Sequence, residues 1–183
     1  MISYAQNFED VILARAFREK TDGFYVDISA MDPEFHSVTK HFYDLGWRGV
    51  NVEPGLRFHE KLCRERLRDI NLCVAVGTEH CEQPFHDFEV HGISTFNSNL
   101  AAHFYGMNYR FRTRPVEMVP LREICERHCR GTIDFMKIDV EGAEKEVLAR
   151  SEHFSPTDRA GGGDYARHIF RILGQLGAHS TRE

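Results

Sequence analysis

The 183-residue sequence has no apolar run that approaches the roughly 20 residues a membrane-spanning helix needs. Residues 1–7 also lack the basic and apolar regions of a secretion signal. The five cysteines are odd in number and scattered, in a chain of about one domain that needs no disulfides to hold its core. These absences predict a cytoplasmic protein with reduced thiols and no membrane partner.

The sequence also lacks a net positive charge. The 23 Lys and Arg residues are outnumbered by 28 Asp and Glu residues, so the formal net charge is −5. A mildly acidic surface does not attract the phosphate backbone, and we expect no nucleic-acid partner. Residues 105–114 are locally basic and aromatic; they suit an anionic or planar ligand or, more simply, a solvated loop with rings turned inward.

Hydrophobic patterning predicts alternating helices and strands. A Ser3–Gln6 capping box predicts the start of a first helix that runs through residue 16, and apolar residues at helical spacing predict others over 37–45, 58–68, 98–105, 120–128 and 143–149. Apolar and β-branched runs predict strands over 24–28, 47–52, 70–76 and 133–138, with an edge strand near 85–90. This alternation is typical of an α/β sandwich around a mostly parallel sheet.

Carboxylates mark the ends of the first two predicted strands. Asp27 lies near the end of the first, and Glu53 follows 26 residues later at the end of the second. Parallel sheets bind ligands at the carboxyl ends of their strands, where an acidic residue at about this spacing accepts hydrogen bonds from ribose hydroxyls. No glycine lies between Asp27 and Gly46, so the fingerprint that admits a pyrophosphate is missing. The pattern favours a nucleoside without phosphates and disfavours a nucleotide-dependent oxidoreductase.

S-adenosylmethionine is a nucleoside of this kind, and it also carries a sulfonium cation and an amino acid. The carboxylates of Asp27 and Asp32 can balance its cationic groups. Asp32 precedes Pro33, however, and a turn residue explains it equally well.

Several blocks of sequence, in a fixed order, resemble FkbM-type methyltransferases: residues 3–6 with 9–10, then 24–33, 36–39, 42–54, 75–77, 94–95 and 133–144. The resemblance covers about residues 1–150. It implies a Rossmann-like class I methyltransferase sandwich, S-adenosylmethionine as cofactor, and a hydroxyl of a sugar or other natural product as acceptor. Together with the strand-end pattern, it indicates cofactor binding by Gln6, Asp10, Asp27, Ser29, Ala30, Asp32, Glu53, Ala75 and Val76.

Ser29 departs from the family pattern, which typically has glycine at this position. Glycine allows a positive φ and a close approach of the cofactor. A serine forced into that geometry costs on the order of 1 kcal/mol or more. We therefore hypothesise that Ser29 weakens cofactor binding relative to glycine.

The last predicted strand supplies the candidate catalytic groups. Alternation places Lys137, Asp139 and Glu141 on one side of an extended chain at the end of this strand. Asp139 is the first candidate to position the acceptor or take its proton, Glu141 is the second, and Lys137 is a base only if burial lowers its pKa. His36, just after the first strand, is a weaker candidate. A salt-bridged strand end and a helix capped by Ser37 explain these residues without catalysis.

No metal site is predicted. Asp139 and Glu141 offer hard oxygen ligands, but no convincing third and fourth ligand accompanies them. Cys125, His128 and Cys129 fit no common zinc spacing. The aromatic insert 85–111 contacts the acceptor or, more simply, belongs to the core.

The family resemblance fades after about residue 150, and residues 151–183 are typical of a glycine-rich loop followed by a helix. They are too few for the remaining strands of a full class I sheet. We thus predict a methyltransferase core over 1–150, a divergent tail over 151–183, incomplete C-terminal strands, and an exposed sheet edge through which copies of the chain associate. The function is then either small-molecule O-methylation or, in a truncated and inactive remnant, binding of an adenosine-type ligand alone.

Overall fold

The computed structural model describes residues 1–140, and all structural statements below concern that part of the chain. Its elements are α1 (Glu9–Ala16), β1 (Phe24–Ile28), α2 (Lys40–Asp44), β2 (Arg48–Val52), α3 (Leu56–Glu65), β3 (Ile70–Leu72), β4 (Ala75–Gly77), β5 (Cys81–Phe88), α4 (Ser98–Gly106), β6 (Phe111–Pro120), α5 (Leu121–His128) and β7 (Phe135–Ile138). The predicted mixture of helices and strands is confirmed. No helix among residues 1–140 is long and apolar enough to cross a membrane.

The predictions that concern residues after 140 lie outside the described residues. They are the helix over 143–149, the placement of Glu141, and the structure of the tail 151–183. The predicted free sheet edge depends on the residues after β7, so it also concerns residues outside the described range.

Four strands form a parallel sheet in the order β3-β2-β1-β7. The chain builds outward from β1 to β3 and then returns to the opposite side of β1, where Asp27 pairs in register with Lys137. The strand order therefore reverses between β1 and β7. In open α/β sheets, the crevice at such a reversal is where ligands bind.

Side chains of this sheet alternate between two hydrophobic cores, one on each face. Val26 and Val50 point to the face covered by α5, where Ile124 packs. Tyr25 and Phe135 point to the other face, which is covered by Leu13 of α1, Phe42 of α2 and Trp47, the residue before β2. Burial on both faces of β1, β2 and β7 explains why these strands are mostly apolar in the sequence.

The single strand predicted over 70–76 is wrong, because the segment divides into two strands. β3 completes the parallel sheet, whereas β4 joins a second sheet of order β4-β6-β5. β5 and β6 pair antiparallel along their lengths and form an arm that carries α4 between its strands. The predicted edge strand near 85–90 thus corresponds to the second half of a longer β5.

The capping box and the Ser37 cap are also wrong. Ser3 donates its hydroxyl hydrogen to Asp10 at 2.7 Å, and α1 begins well after Gln6. α2 begins three residues after Ser37, whose hydroxyl accepts a hydrogen bond from Arg66 at 2.9 Å. In both cases the serine hydroxyl bonds to a residue farther along the chain, Asp10 or Arg66, and does not cap the helix that the local pattern predicts.

Candidate functional site

A cavity of about 500 Å³ lies at the carboxyl ends of β1, β2, β4 and β7. Small-molecule sites typically measure roughly 300–1,000 Å³. The parallel sheet and β4 form one wall of the cavity, and the arm with the chain leading into α4 forms the other. The arm's wall includes Gln83, Phe85, Ser94, Thr95, Phe96 and Asn97.

Five of the predicted site residues line this cavity, namely Ser29, Glu53, Ala75, Val76 and Asp139. Glu53 and Asp139, the two carboxylates on which the predicted site depends, therefore face one space. Within residues 1–140, seven predicted residues do not line it: Gln6, Asp10, Asp27, Ala30, Asp32, His36 and Lys137.

Glu53 is buried, with 4% of its surface exposed. One carboxylate oxygen accepts the backbone N–H of Gly55 at 2.6 Å, and the other accepts that of Met31 at 2.8 Å. Burial raises the pKa of Glu53 from its ordinary value of 4.5 to about 7, against the opposing effect of these two hydrogen bonds. Each oxygen keeps a second lone pair, so the carboxylate can accept two further hydroxyl hydrogens.

The loop after β1, residues 29–37, has an unusual backbone. Ser29, Met31 and His36 have positive φ angles of 60°, 54° and 59°. The left-handed geometry expected at Ser29 is confirmed. Such conformations cost non-glycine residues on the order of 1–3 kcal/mol each and persist where the surroundings hold them in place. We call residues 29–37 the first loop.

Lys137 and Asp27 lie behind the first loop, away from the cavity lining. The Lys137 ammonium donates a hydrogen bond to the Ser29 carbonyl at 2.6 Å and lies 3.3 Å from one oxygen of Asp27. The other Asp27 oxygen accepts the hydroxyl hydrogen of Thr39 at 3.0 Å. Lys137 thus holds the loop directly and Asp27 pairs with Lys137; direct contact of either with a ligand stays a prediction.

Asp32 has the contacts of a turn residue. One of its oxygens accepts the backbone N–H groups of Glu34 and Phe35, each at 3.0 Å. Lys61 donates to both oxygens, at 2.9 and 2.8 Å. Burial acts to raise the pKa of Asp32, but the hydrogen bonds from Lys61 and the backbone prevail and lower it. These contacts favour the structural interpretation of Asp32 over the ligand-binding one.

Asp10, Gln6 and His36 lie away from the cavity lining. Asp10 is fully buried and accepts hydrogen bonds from the chain that precedes α1. Gln6 is exposed. The exposed ring of His36 stacks on Phe35 with centroids 3.8 Å apart. A role for any of the three with the cofactor or acceptor remains a prediction.

The arm supplies residues of the site that the sequence did not identify individually. Phe85 and Phe96 pack with ring centroids 4.7 Å apart, and both line the cavity. Phe85 is also buried in a small core with Val116, which confirms the core interpretation for this residue; contact of the aromatic insert with the acceptor stays a prediction. Met31, Pro54 and Gln83 were missed because nothing in their local sequence shows that they border a cavity.

A family model described as the Methyltransferase FkbM domain matches residues 27–174, well over half of the chain. The match includes the cavity-lining segments of both sheets and continues past residue 150, where the sequence resemblance was expected to fade. No curated protein and no solved structure matches the chain at a significant level. Among residues 1–140, no group of three or more His, Cys, Asp or Glu side chains is placed to hold a metal ion.

Proposed function

Because the chain belongs to the FkbM methyltransferase family, we propose that it transfers a methyl group from S-adenosylmethionine to a hydroxyl of a small molecule. The observation that carries the proposal is that Glu53 and Asp139 line one cavity, beside the reversal of strand order. A Rossmann-like assignment belongs to the same proposal, because the order β3-β2-β1-β7 matches the first strands of a doubly wound sheet.

The residues of one wall fit a nucleoside. Glu53 accepts the ribose hydroxyls with the lone pairs that its backbone partners leave available. Ala75, Val76 and Pro54 give this wall an apolar surface suited to a planar base. When bound, S-adenosylmethionine supplies an electrophilic methyl group on a sulfonium centre.

On the side of the acceptor, the protein aligns a hydroxyl and removes its proton. Asp139 follows β7 and lines the cavity, so it is our candidate for the base that takes this proton. Phe85 and Phe96 exclude water from the opposite wall, which favours an acceptor oxygen aligned for in-line displacement. A sugar or another hydroxylated natural product is the acceptor class we propose, with Glu141 as the second candidate base.

Two measurements test the proposal. Titration calorimetry should show binding of S-adenosylmethionine and S-adenosylhomocysteine to the wild type. Once an acceptor is identified, Asp139→Asn should lower methyl transfer by about 10²- to 10⁴-fold, the usual contribution of a general base, while the affinity for S-adenosylhomocysteine stays the same. The matched control is Asp22→Asn at an exposed site.

Absence of binding by either nucleoside would refute the proposal. Unchanged turnover in Asp139→Asn would remove Asp139 as the base but leave the proposed cofactor intact. Binding without methyl consumption against a broad panel of hydroxylated acceptors would identify a remnant that retains only the nucleoside site.

A further inference from the structure

The first loop forms part of the cavity wall and is held from outside the cavity by two cations. On the basis of the proposed function, we propose that Lys61 and Arg66 are positioning residues that hold this loop in its ligand-binding shape. Neither residue lines the cavity among residues 1–140. Both act through the backbone and side chains of the loop.

The loop needs such a restraint because of its backbone. Ser29 and Met31, which line the cavity, have positive φ angles, and so does His36 at the far end of the loop. Residues with a Cβ atom rarely adopt this conformation, so an unrestrained loop would relax to other shapes. The ligand would then bind only the fraction of molecules that keep the strained shape.

Lys61 restrains the middle of the loop. Its ammonium donates hydrogen bonds to both oxygens of Asp32, the residue that follows Met31. The same carboxylate accepts two backbone N–H groups of the turn after it. Without Lys61, the Asp32 carboxylate loses the cation that fixes its orientation.

Arg66, the residue that follows α3, restrains the end of the loop. Its guanidinium, 1% exposed, donates to the carbonyl of Pro33 and to the hydroxyl of Ser37 at 2.9 Å. The charge is balanced by Asp69, at 4.0 Å. A buried guanidinium is stable only while its hydrogen bonds are made, so the loop cannot leave Arg66 without a large penalty.

A continuous set of polar contacts then returns to the start of the loop. The hydroxyls of Ser37 and Thr39 are 3.4 Å apart, and Thr39 donates to Asp27 at 3.0 Å. Asp27 pairs with Lys137, which donates to the Ser29 carbonyl. The restraint by Arg66 is therefore connected to the residue that forms the cavity wall.

The test uses Lys61→Met, because Lys61 is partly exposed and its replacement leaves no unpaired cation in the core. The control is Arg64→Met, which removes the same charge from an exposed position of the same helix. If the competent fraction falls to about a tenth, Lys61→Met raises the Kd for S-adenosylhomocysteine about tenfold, and the control leaves it unchanged. Amide hydrogen exchange of residues 30–37 in the ligand-free protein should accelerate in Lys61→Met alone.

A double variant separates a restraint on the loop from a general loss of stability. If the two cations hold the loop against strain, Ser29→Gly restores more affinity in the Lys61→Met background than in the wild type. Additive effects, or unchanged exchange over residues 30–37, would overturn the proposal. Arg66→Lys keeps the charge but makes fewer hydrogen bonds. Its Kd for S-adenosylhomocysteine should therefore lie between those of the wild type and Lys61→Met. If the wild type binds neither nucleoside, the proposed function fails, and the exchange measurement still decides whether the loop is held.

Discussion

The ammonium of Lys137 lies 2.6 Å from the carbonyl oxygen of Ser29, so β7 holds the loop that follows its neighbour β1. The same ammonium pairs with the buried carboxylate of Asp27. One cation thereby stabilises both the centre of the sheet and the wall of the cavity.

Lys137→Met should lower the free energy of unfolding by about 3 kcal/mol or more, because it leaves Asp27 buried without its cation. Asp27→Asn in the same chain removes the unpaired charge, so the double variant should be more stable than the sum of the single changes predicts. Urea denaturation of the four proteins measures this coupling. Strictly additive losses would show that the pair contributes nothing as a pair.

Ser29→Gly should tighten the binding of S-adenosylhomocysteine, up to about fivefold, because glycine adopts a φ of 60° without the penalty of on the order of 1 kcal/mol that serine incurs. Ser29→Ala is the matched control, since it removes the hydroxyl but keeps the Cβ atom. Equal gains in the two variants would mean that the hydroxyl, and not the backbone strain, limits affinity. Calorimetric titration measures both.

Glu53 gives stability a pH dependence of known sign. Its pKa is raised by burial from 4.5 to about 7, so the folded protein retains a proton that the unfolded chain has lost. This contribution to stability is fully present below pH 4.5 and is lost as the pH rises through 7, by about 3 kcal/mol in total. The free energy of unfolding of Glu53→Gln should therefore fall less steeply than that of the wild type over this range.

Nucleoside binding should have the opposite pH dependence. Ribose hydroxyls donate to the ionised carboxylate, so affinity should rise as the pH rises through about 7, and binding near pH 6.5 should release a proton. Calorimetry in buffers of different ionisation enthalpy counts the protons released. Glu53→Gln should release none, and equal release by both proteins would place the titrating group elsewhere.

Gly55→Ala should weaken nucleoside binding by about tenfold, since a Cβ atom at this position would lie 2.8 Å from a carboxylate oxygen of Glu53 and displace it. Gly106→Ala is the control, because its Cβ atom meets nothing within 4 Å. Comparable affinities in the two variants would show that the position of the Glu53 carboxylate is unimportant for binding.

The parallel sheet was predictable because β1, β2 and β7 are largely buried and are therefore mostly apolar in sequence. The arm was not. β5 and β6 expose many of their residues, and Pro84 lies opposite Pro115 in the ladder, where neither can donate a hydrogen bond. A strand with prolines and scattered apolar residues has little signal in its own sequence.

The same distinction applies to the site. Glu53 was predictable because the spacing between the first two strands fixes where an acidic residue must lie. Lys61 and Arg66 were not, since they contact residues 29 and 33 positions away in the chain. Hydrogen bonds of that separation depend on how the helices dock, which no local pattern records.

The β5–β6 arm shares no ladder with β1, β2 or β7 in the described chain; β4 pairs with β6 and lies in the opposite wall of the cavity. Substitutions in the arm can therefore reshape one side while the register of the parallel strands stays intact. In a lineage of such proteins, one wall of the cavity can diverge through the arm while the wall that carries Glu53 is inherited unchanged.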